Sequence, residues 1–207
     1  MLVAPFGTDL PQLPELPEPD PPPFDRPYFV YVSTIEARKN HLLLLNLWRD
    51  MAGELGPETP LLVLVGARGW ESENVFDMLD RCPAVQDTVI EHKALPDTEM
   101  ARLLRGARAV LLPSFAEGFG FPLLEGMALG TPALCSDIPA LRDTGADVPE
   151  YLHPLDGMGW RRAILDYAAP QSPRRTAQLE RLKHWRPASW DDHFAAVDTL
   201  IEETVRL

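Results

Sequence analysis

Two short runs in this chain, Phe29-Val30-Tyr31-Val32 and Leu61-Leu62-Val63-Leu64-Val65, are apolar at every position. A strand with one face in water alternates apolar and polar residues. A short, unbroken run rich in β-branched side chains reads instead as a strand covered on both faces. Strands of that kind belong to parallel sheets, whose crossover connections lay helices over both faces. The rest of the chain keeps the rhythm. Strands are expected at Tyr28–Val32, Leu61–Val65, Val89–His92, Ala109–Leu112 and Ala133–Cys135, with a weaker sixth at Tyr151–Leu152. Helical periodicity falls between and after them, at about 40–55, 71–79, 97–106, 122–129, 158–168, 172–185 and 189–205. This alternation predicts an α/β fold, a Rossmann-like doubly wound parallel sheet with helices on both faces. Such folds bind ligands at the carboxyl ends of their strands.

Ahead of this pattern the composition changes. Nine of the 22 prolines precede Tyr28, and the Pro/Glu/Asp-rich stretch from Pro11 to Pro27 is expected to be an extended linker. Leu2-Val3-Ala4-Pro5 reads as the end of a strand. A length of 207 residues and an apolar fraction of 45% allow one domain, or one and a half, with a sizeable core. The net charge of −12, without a Lys/Arg cluster, argues against a nucleic-acid partner. A single anionic group can still be held by a local patch. Two cysteines, Cys82 and Cys135, make a disulfide framework unlike this chain and fit a reducing cytoplasm. No signal-peptide layout and no apolar run of about 18 residues is present, so membrane contact is expected to be peripheral at most.

The segment Pro113-Ser114-Phe115-Ala116-Glu117-Gly118-Phe119-Gly120-Phe121-Pro122-Leu123-Leu124-Glu125 follows a strand and opens a helix. Its glycines let the turn point backbone N–H groups at an anion. Pro122 suits a first helical turn, and the helix adds its positive dipole end. Glu117 stands before the turn and Glu125 eight residues later. The spacing alone carries nothing, because Glu91 and Glu99 share it with no glycine between them. Two carboxylates beside an anion-binding turn suit a ligand that joins a diphosphate to hydroxyl-rich sugars, as a nucleotide-sugar does. Glu117 would accept hydrogen bonds from hydroxyls of the sugar. Glu125, placed near the positive helix end and expected to be ionised, would bridge a ribose diol or simply stabilise its helix.

Two further segments reach the same edge. Ser33-Thr34-Ile35-Glu36-Ala37-Arg38-Lys39-Asn40 brings Lys39 and Arg38 to a helix start, where they either neutralise a leaving diphosphate or are solvated cations. Gly66-Ala67-Arg68-Gly69-Trp70 offers close backbone approach at Gly66 and a phosphate-reaching Arg68, or a plain turn with a packing Trp. The five histidines show no metal-like spacing, no Asp-x-Asp occurs, and all five are read as satisfied or solvated.

Taken together, these blocks resemble the C-terminal half of the retaining glycosyltransferases of family 4 (group 1), and most closely its mannosyltransferase-like members. Leu64 to Trp70, Leu103 to Ala109 and Gly130-Thr131-Pro132 add to the likeness. The resemblance implies the two-domain GT-B fold, with residues 1–27 a Pro-rich interdomain linker remnant and residues 28–207 the nucleotide-sugar (donor) domain. It implies Lys39 and Arg38 facing the diphosphate, Glu117 with the backbone of Gly118, Phe119, Gly120 and Phe121 on the donor sugar, and Glu125 on the ribose. His92 to Leu95 would line the base pocket, with Gly66 and Arg68 nearby. It further implies retention, no metal, no cofactor beyond the donor (GDP-mannose first), and a glycan or lipid-linked acceptor held by an N-terminal domain, as in bacterial polysaccharide or lipopolysaccharide synthesis. A donor domain alone is then expected to bind nucleotide and to transfer nothing. The alternatives are a non-catalytic nucleotide-binding module, or an epimerase or phosphorylase on the same fold.

Overall fold

The computed structural model describes Ala4, Phe6, Gly7 and residues 23–205. Of the expected N-terminal strand end, Leu2, Val3 and Pro5 lie outside the described residues, as does the linker from Pro11 to Pro22. Six strands form one parallel sheet: β1 (Tyr28–Val32), β2 (Leu61–Val65), β3 (Val89–His92), β4 (Ala109–Leu112), β5 (Ala133–Ser136) and β6 (Glu150–Leu152). Their spatial order is β3-β2-β1-β4-β5-β6. Tyr28 to Val32 pair in register with Leu61 to Val65, while Phe29 and Val30 pair with Ala109 and Val110 on the other side. The chain therefore winds outward from β1 through β2 to β3, then returns to β1 and winds the other way. Between β1 and β4 successive crossovers part to opposite directions, and a crevice opens at their carboxyl ends.

The unbroken apolar runs have the physical origin read from them. Phe29 and Tyr31 of β1 enter one core with Leu62 and Leu64, and Tyr28 and Val30 enter another with Val63 and Val65. The first core is covered by α1 (His41–Leu55), α2 (Glu73–Arg81), α3 (Pro83–Gln86) and α7 (Gly157–Ala168), through side chains such as Trp48, Val85 and Trp160. The second is covered by α4 (Asp97–Gly106), α5 (Phe121–Ala128), α6 (Pro139–Gly145) and α8 (Pro173–His184), through Leu104, Leu123, Leu141 and Leu182. A last helix, α9 (Trp190–Val205), ends the described chain.

Two helices escaped the sequence reading. α3 and α6 are short, begin on proline and bury a single large apolar side chain each, Val85 and Leu141, so they show no helical period. Boundaries moved where the backbone turns left-handed. α1 starts at His41 because Asn40 sits at φ 58°, and α2 starts at Glu73 because Glu71 sits at φ 53°.

One close approach sets the depth of the site. A Cβ on Gly126 would lie 2.6 Å from Cγ2 of Val110, so α5 rests on β4 with no room for a methyl group. Val110 is fully buried and stiff at χ1, so it has no easy escape. We expect Gly126→Ala to destabilise the chain by about 1–3 kcal/mol, measured as a lowered urea midpoint at unchanged m-value.

Candidate functional site

The loops leaving β1 and β4 meet over the crevice. From β1 the backbone continues along β2, with Ser33 N donating to Val65 O (2.9 Å) and Ile35 N to Ala67 O (2.9 Å). It then makes a single 3-10 turn over Ala37–Lys39 that ends on left-handed Asn40. The Asn40 side-chain amide donates to Pro113 O (3.0 Å) and Pro154 O (3.1 Å), binding together the loops that follow β1, β4 and β6. Phe115 N donates to Arg38 O (2.9 Å), adding a main-chain link. Asn tolerates the left-handed region, which lets it end the turn and aim its amide at both carbonyls.

That arrangement puts Lys39 against Glu117. The ammonium donates to both carboxylate oxygens, at 2.7 Å to Oε1 and 2.8 Å to Oε2. Its side chain is 12% exposed and that of Glu117 is 7% exposed. Removing either partner would leave a nearly buried charge unpaired. Ser114 Oγ donates to Glu117 Oε1 (2.7 Å), and Tyr31 Oη donates to Lys39 O (2.7 Å) while lying 3.2 Å from Ser114 Oγ. Arg38 is half exposed; its Nε holds Glu36 at 3.0 Å, its Nη1 donates to Ala116 O (3.3 Å), and it stands 3.6 Å from Glu117 Oε2. Ser114 and Tyr31 were not singled out by the sequence, since their partners are side chains on other loops.

Past Glu117 the turn has two different glycines. Gly120 adopts φ 94°, and a Cβ there would lie 2.6 Å from Leu141 Cδ2. Gly118 has no such demand: nothing lies within 4 Å of the space its Cβ would take. Phe119 O accepts a 2.5 Å bond from Thr144 Oγ1. The rings of Phe119 and Phe121 lie 5.2 and 5.9 Å from that of Phe6. α5 starts at Phe121; Pro122 brings no N–H, and the N–H groups of Leu123 and Leu124 already donate to Gly120 O (2.9 and 3.2 Å), so the amides left beside the Lys39–Glu117 pair are those of the turn.

The other expected residues occupy the flanks. Gly66 N donates to His92 O (2.8 Å), and a Cβ on Gly66 would strike Ser33 O at 2.0 Å, so this glycine serves loop packing and its N–H is already engaged. Arg68 forks onto Asp80 (2.8 and 2.6 Å) and Glu91 (2.9 and 2.8 Å), tying α2 to β3. His92 and Leu95 are half-buried at the end of β3. Glu125 lies beyond the first turn of α5, where the dipole has faded. Burial raises its carboxyl above the usual range, and the charge of Asp97, two residues from Leu95, adds to the rise. Among the described residues no group of three or more His, Cys, Asp or Glu side chains converges as a metal site would.

His41 corrects one expectation. It is buried against Tyr31, ring centroids 4.6 Å apart, with neither ring nitrogen hydrogen-bonded among the described residues. Burial, then the Lys39 charge, lowers its pKa from 6.5 to about 4. A leucine run offers no acceptor, so this histidine is neutral and apolar in role. Its depressed pKa stabilises the fold above pH 6.5, and that contribution drains as pH falls toward 4, to a limit of about 3 kcal/mol. We expect His41→Leu to lose less stability than the parent between pH 7 and pH 4.5, read from urea unfolding at each pH.

Comparison with known proteins gives the family and the fold. The profile of the glycosyl transferases group 1 family matches residues 14–147. The O-antigen chain mannosyltransferase B of Escherichia coli is 31% identical over 166 residues, covering 80% of this chain and 43% of that protein. The chain thus spans less than half the length of the relatives it matches. Among solved structures, sucrose-phosphate synthase of Thermosynechococcus elongatus superposes with TM-score 0.71 at 21% identity, over 88% of this chain and 46% of that one. TarM of S. aureus, solved with UDP, gives TM-score 0.67 at 12% identity over 90% of this chain and 38% of that one. Both have the GT-B glycosyltransferase fold, whose Rossmann-like sheet this chain shares. With a profile match over more than half of its length and a relative 31% identical over 80% of it, the chain belongs to the glycosyl transferases group 1 family.

Proposed function

We propose that the chain is the donor-binding part of a retaining, metal-independent glycosyltransferase that moves a hexose, mannose first, from a nucleoside-diphosphate sugar to a glycan or lipid-linked acceptor. The observation that carries this reading is the Lys39–Glu117 pair at the strand-order reversal, directly under the Gly118–Phe121 turn. In it Lys39, with Arg38, meets the diphosphate. The amides of the Gly118–Phe121 turn take the remaining phosphate oxygens. Glu117 accepts from sugar hydroxyls, Glu125 accepts from the ribose diol, and the segment from His92 to Leu95 lies beside the base. The bond between the sugar and the diphosphate breaks with its electron pair leaving on phosphate oxygen. Cation and N–H donors already in place stabilise that growing charge without reorganising. The mannosyltransferase relative supports the choice of sugar, and the O-antigen in its name supports a polysaccharide acceptor.

A thermal-shift series with GDP, UDP, dTDP and ADP tests the donor. Saturation at about 100 times Kd stabilises by about 2.7 kcal/mol, and GDP should give the largest rise. A larger rise from another base replaces guanine in the reading, and no rise with any of the four removes the reading altogether. Lys39→Ala should weaken diphosphate binding by about tenfold or more. Gly118→Ala should leave the melting temperature unchanged yet lower affinity, because the space its methyl would fill is open to the ligand.

Glu125 supplies an independent check. Since burial and Asp97 both disfavour its charged form, Glu125→Gln should hold or raise thermal stability at pH 7 while weakening nucleotide binding. Stability that falls while affinity stays unchanged would assign Glu125 to the fold alone.

A further inference from the structure

Ser114 is fully buried and has no chemistry of its own in the proposed transfer, yet its hydroxyl makes one of the shortest contacts to the sugar-facing carboxylate. We propose that Ser114 is a positioning residue that selects which oxygen of Glu117 is offered to the donor sugar. The inference rests on the donor-site reading above and deepens it.

The assignment follows from counting protons and lone pairs. Tyr31 Oη donates to Lys39 O at 2.7 Å, so its proton is committed there. Ser114 Oγ, 2.7 Å from Glu117 Oε1, gives its single proton to the carboxylate, the stronger acceptor. Oε1 then holds two donors, Ser114 and the Lys39 ammonium, whereas Oε2 holds only Lys39. Oε2 is the oxygen with acceptor capacity left for a ligand hydroxyl. It is also the oxygen nearest Arg38, whose Nη1 waits at 3.6 Å, beyond hydrogen-bond range. A carboxylate without Ser114 is held by Lys39 alone, and its terminal torsion, broad and two-fold, is less restrained. It would then close onto the guanidinium. That rotation spends Oε2 on Arg38 and removes the acceptor from the sugar.

The orientation of Ser114 is itself secured. It follows Pro113, whose carbonyl takes the Asn40 amide at 3.0 Å, and its hydroxyl lies 3.2 Å from Tyr31. The Asn40 amide thus ties the backbone that carries Ser114 to the loop after β1.

The expected signature is selective. Diphosphate affinity depends on Lys39 and the turn, and should survive loss of the hydroxyl. The extra affinity contributed by the hexose depends on Oε2, and should not. The test is calorimetry on the full chain with GDP, UDP, dTDP and ADP, each with and without its hexose, using the pair that shows the largest hexose increment in the parent protein. We expect Ser114→Ala to cut that increment by about tenfold, with affinity for the bare nucleotide within about twofold of the parent. Ser114→Cys, which keeps the volume but donates weakly, should show a smaller cut in the same direction, and it replaces the alanine variant if the latter does not fold. An increment retained in the variants overturns the inference while leaving the donor reading intact. Equal loss of affinity for both ligands overturns it too, since that is what mere loosening of the loop would produce. A parent protein with no hexose increment for any pair overturns the donor reading and this inference together.

Discussion

The attraction between the Lys39 ammonium and the Glu117 carboxylate acts across 78 residues of sequence, and the remainder of the crevice is arranged around it. Neither charge is near its partner by local structure. Lys39 ends a 3-10 turn after β1 and Glu117 precedes a glycine turn after β4. They meet because β1 and β4 are neighbours in a sheet whose winding reverses between them. Parting crossovers leave that edge open, and two charges shielded by loop backbone persist there with little water around them. An ion pair so placed is weak as a source of stability but strong as a constraint, because either charge left alone would be costly.

The setting also bears on how an acidic chain would hold the proposed diphosphate. A net charge of −12 would repel a diphosphate at long range, but screening removes most of that field within about 8 Å at physiological salt. What would act at contact is the local set: Lys39, half-exposed Arg38 and the amides of the turn. Many other cations are already spent. Arg68 grips Asp80 and Glu91, Arg142 grips Asp137, and Arg108 donates to the carbonyls of Tyr167 and Ala169. Their role is to bind helices to the sheet, which is why a basic residue beside a glycine turn is a poor guide to a phosphate unless its partners are known.

Buried polar groups around the pair divide the same way. Tyr31 donates to Lys39 O, Ser114 to Glu117, and Asn40 to the carbonyls of Pro113 and Pro154, making a floor for the charges. His41 shares their neighbourhood but not their bonding, and burial with the nearby Lys39 charge keeps it neutral. Glu125 sits where burial and Asp97 oppose its ionisation.

Much of this was legible in the chain as written. The unbroken runs at Phe29–Val32 and Leu61–Val65 dictated strands covered on both faces, and therefore a parallel α/β sheet, because burial on both sides leaves no position for a polar residue. The glycines of Gly118–Phe121 announced a turn opening a helix, since local backbone geometry depends on local residues. Short helices such as Pro139–Gly145 stayed hidden, having too few turns to show a period. Which side chain meets which was beyond the reach of sequence. That Glu117 takes Lys39 and Ser114, that Arg68 turns to Asp80 and Glu91, and that His41 is stranded without a partner all depend on strand order. Adjacency across a sheet leaves no periodic trace along the chain, so only the folded arrangement could decide it.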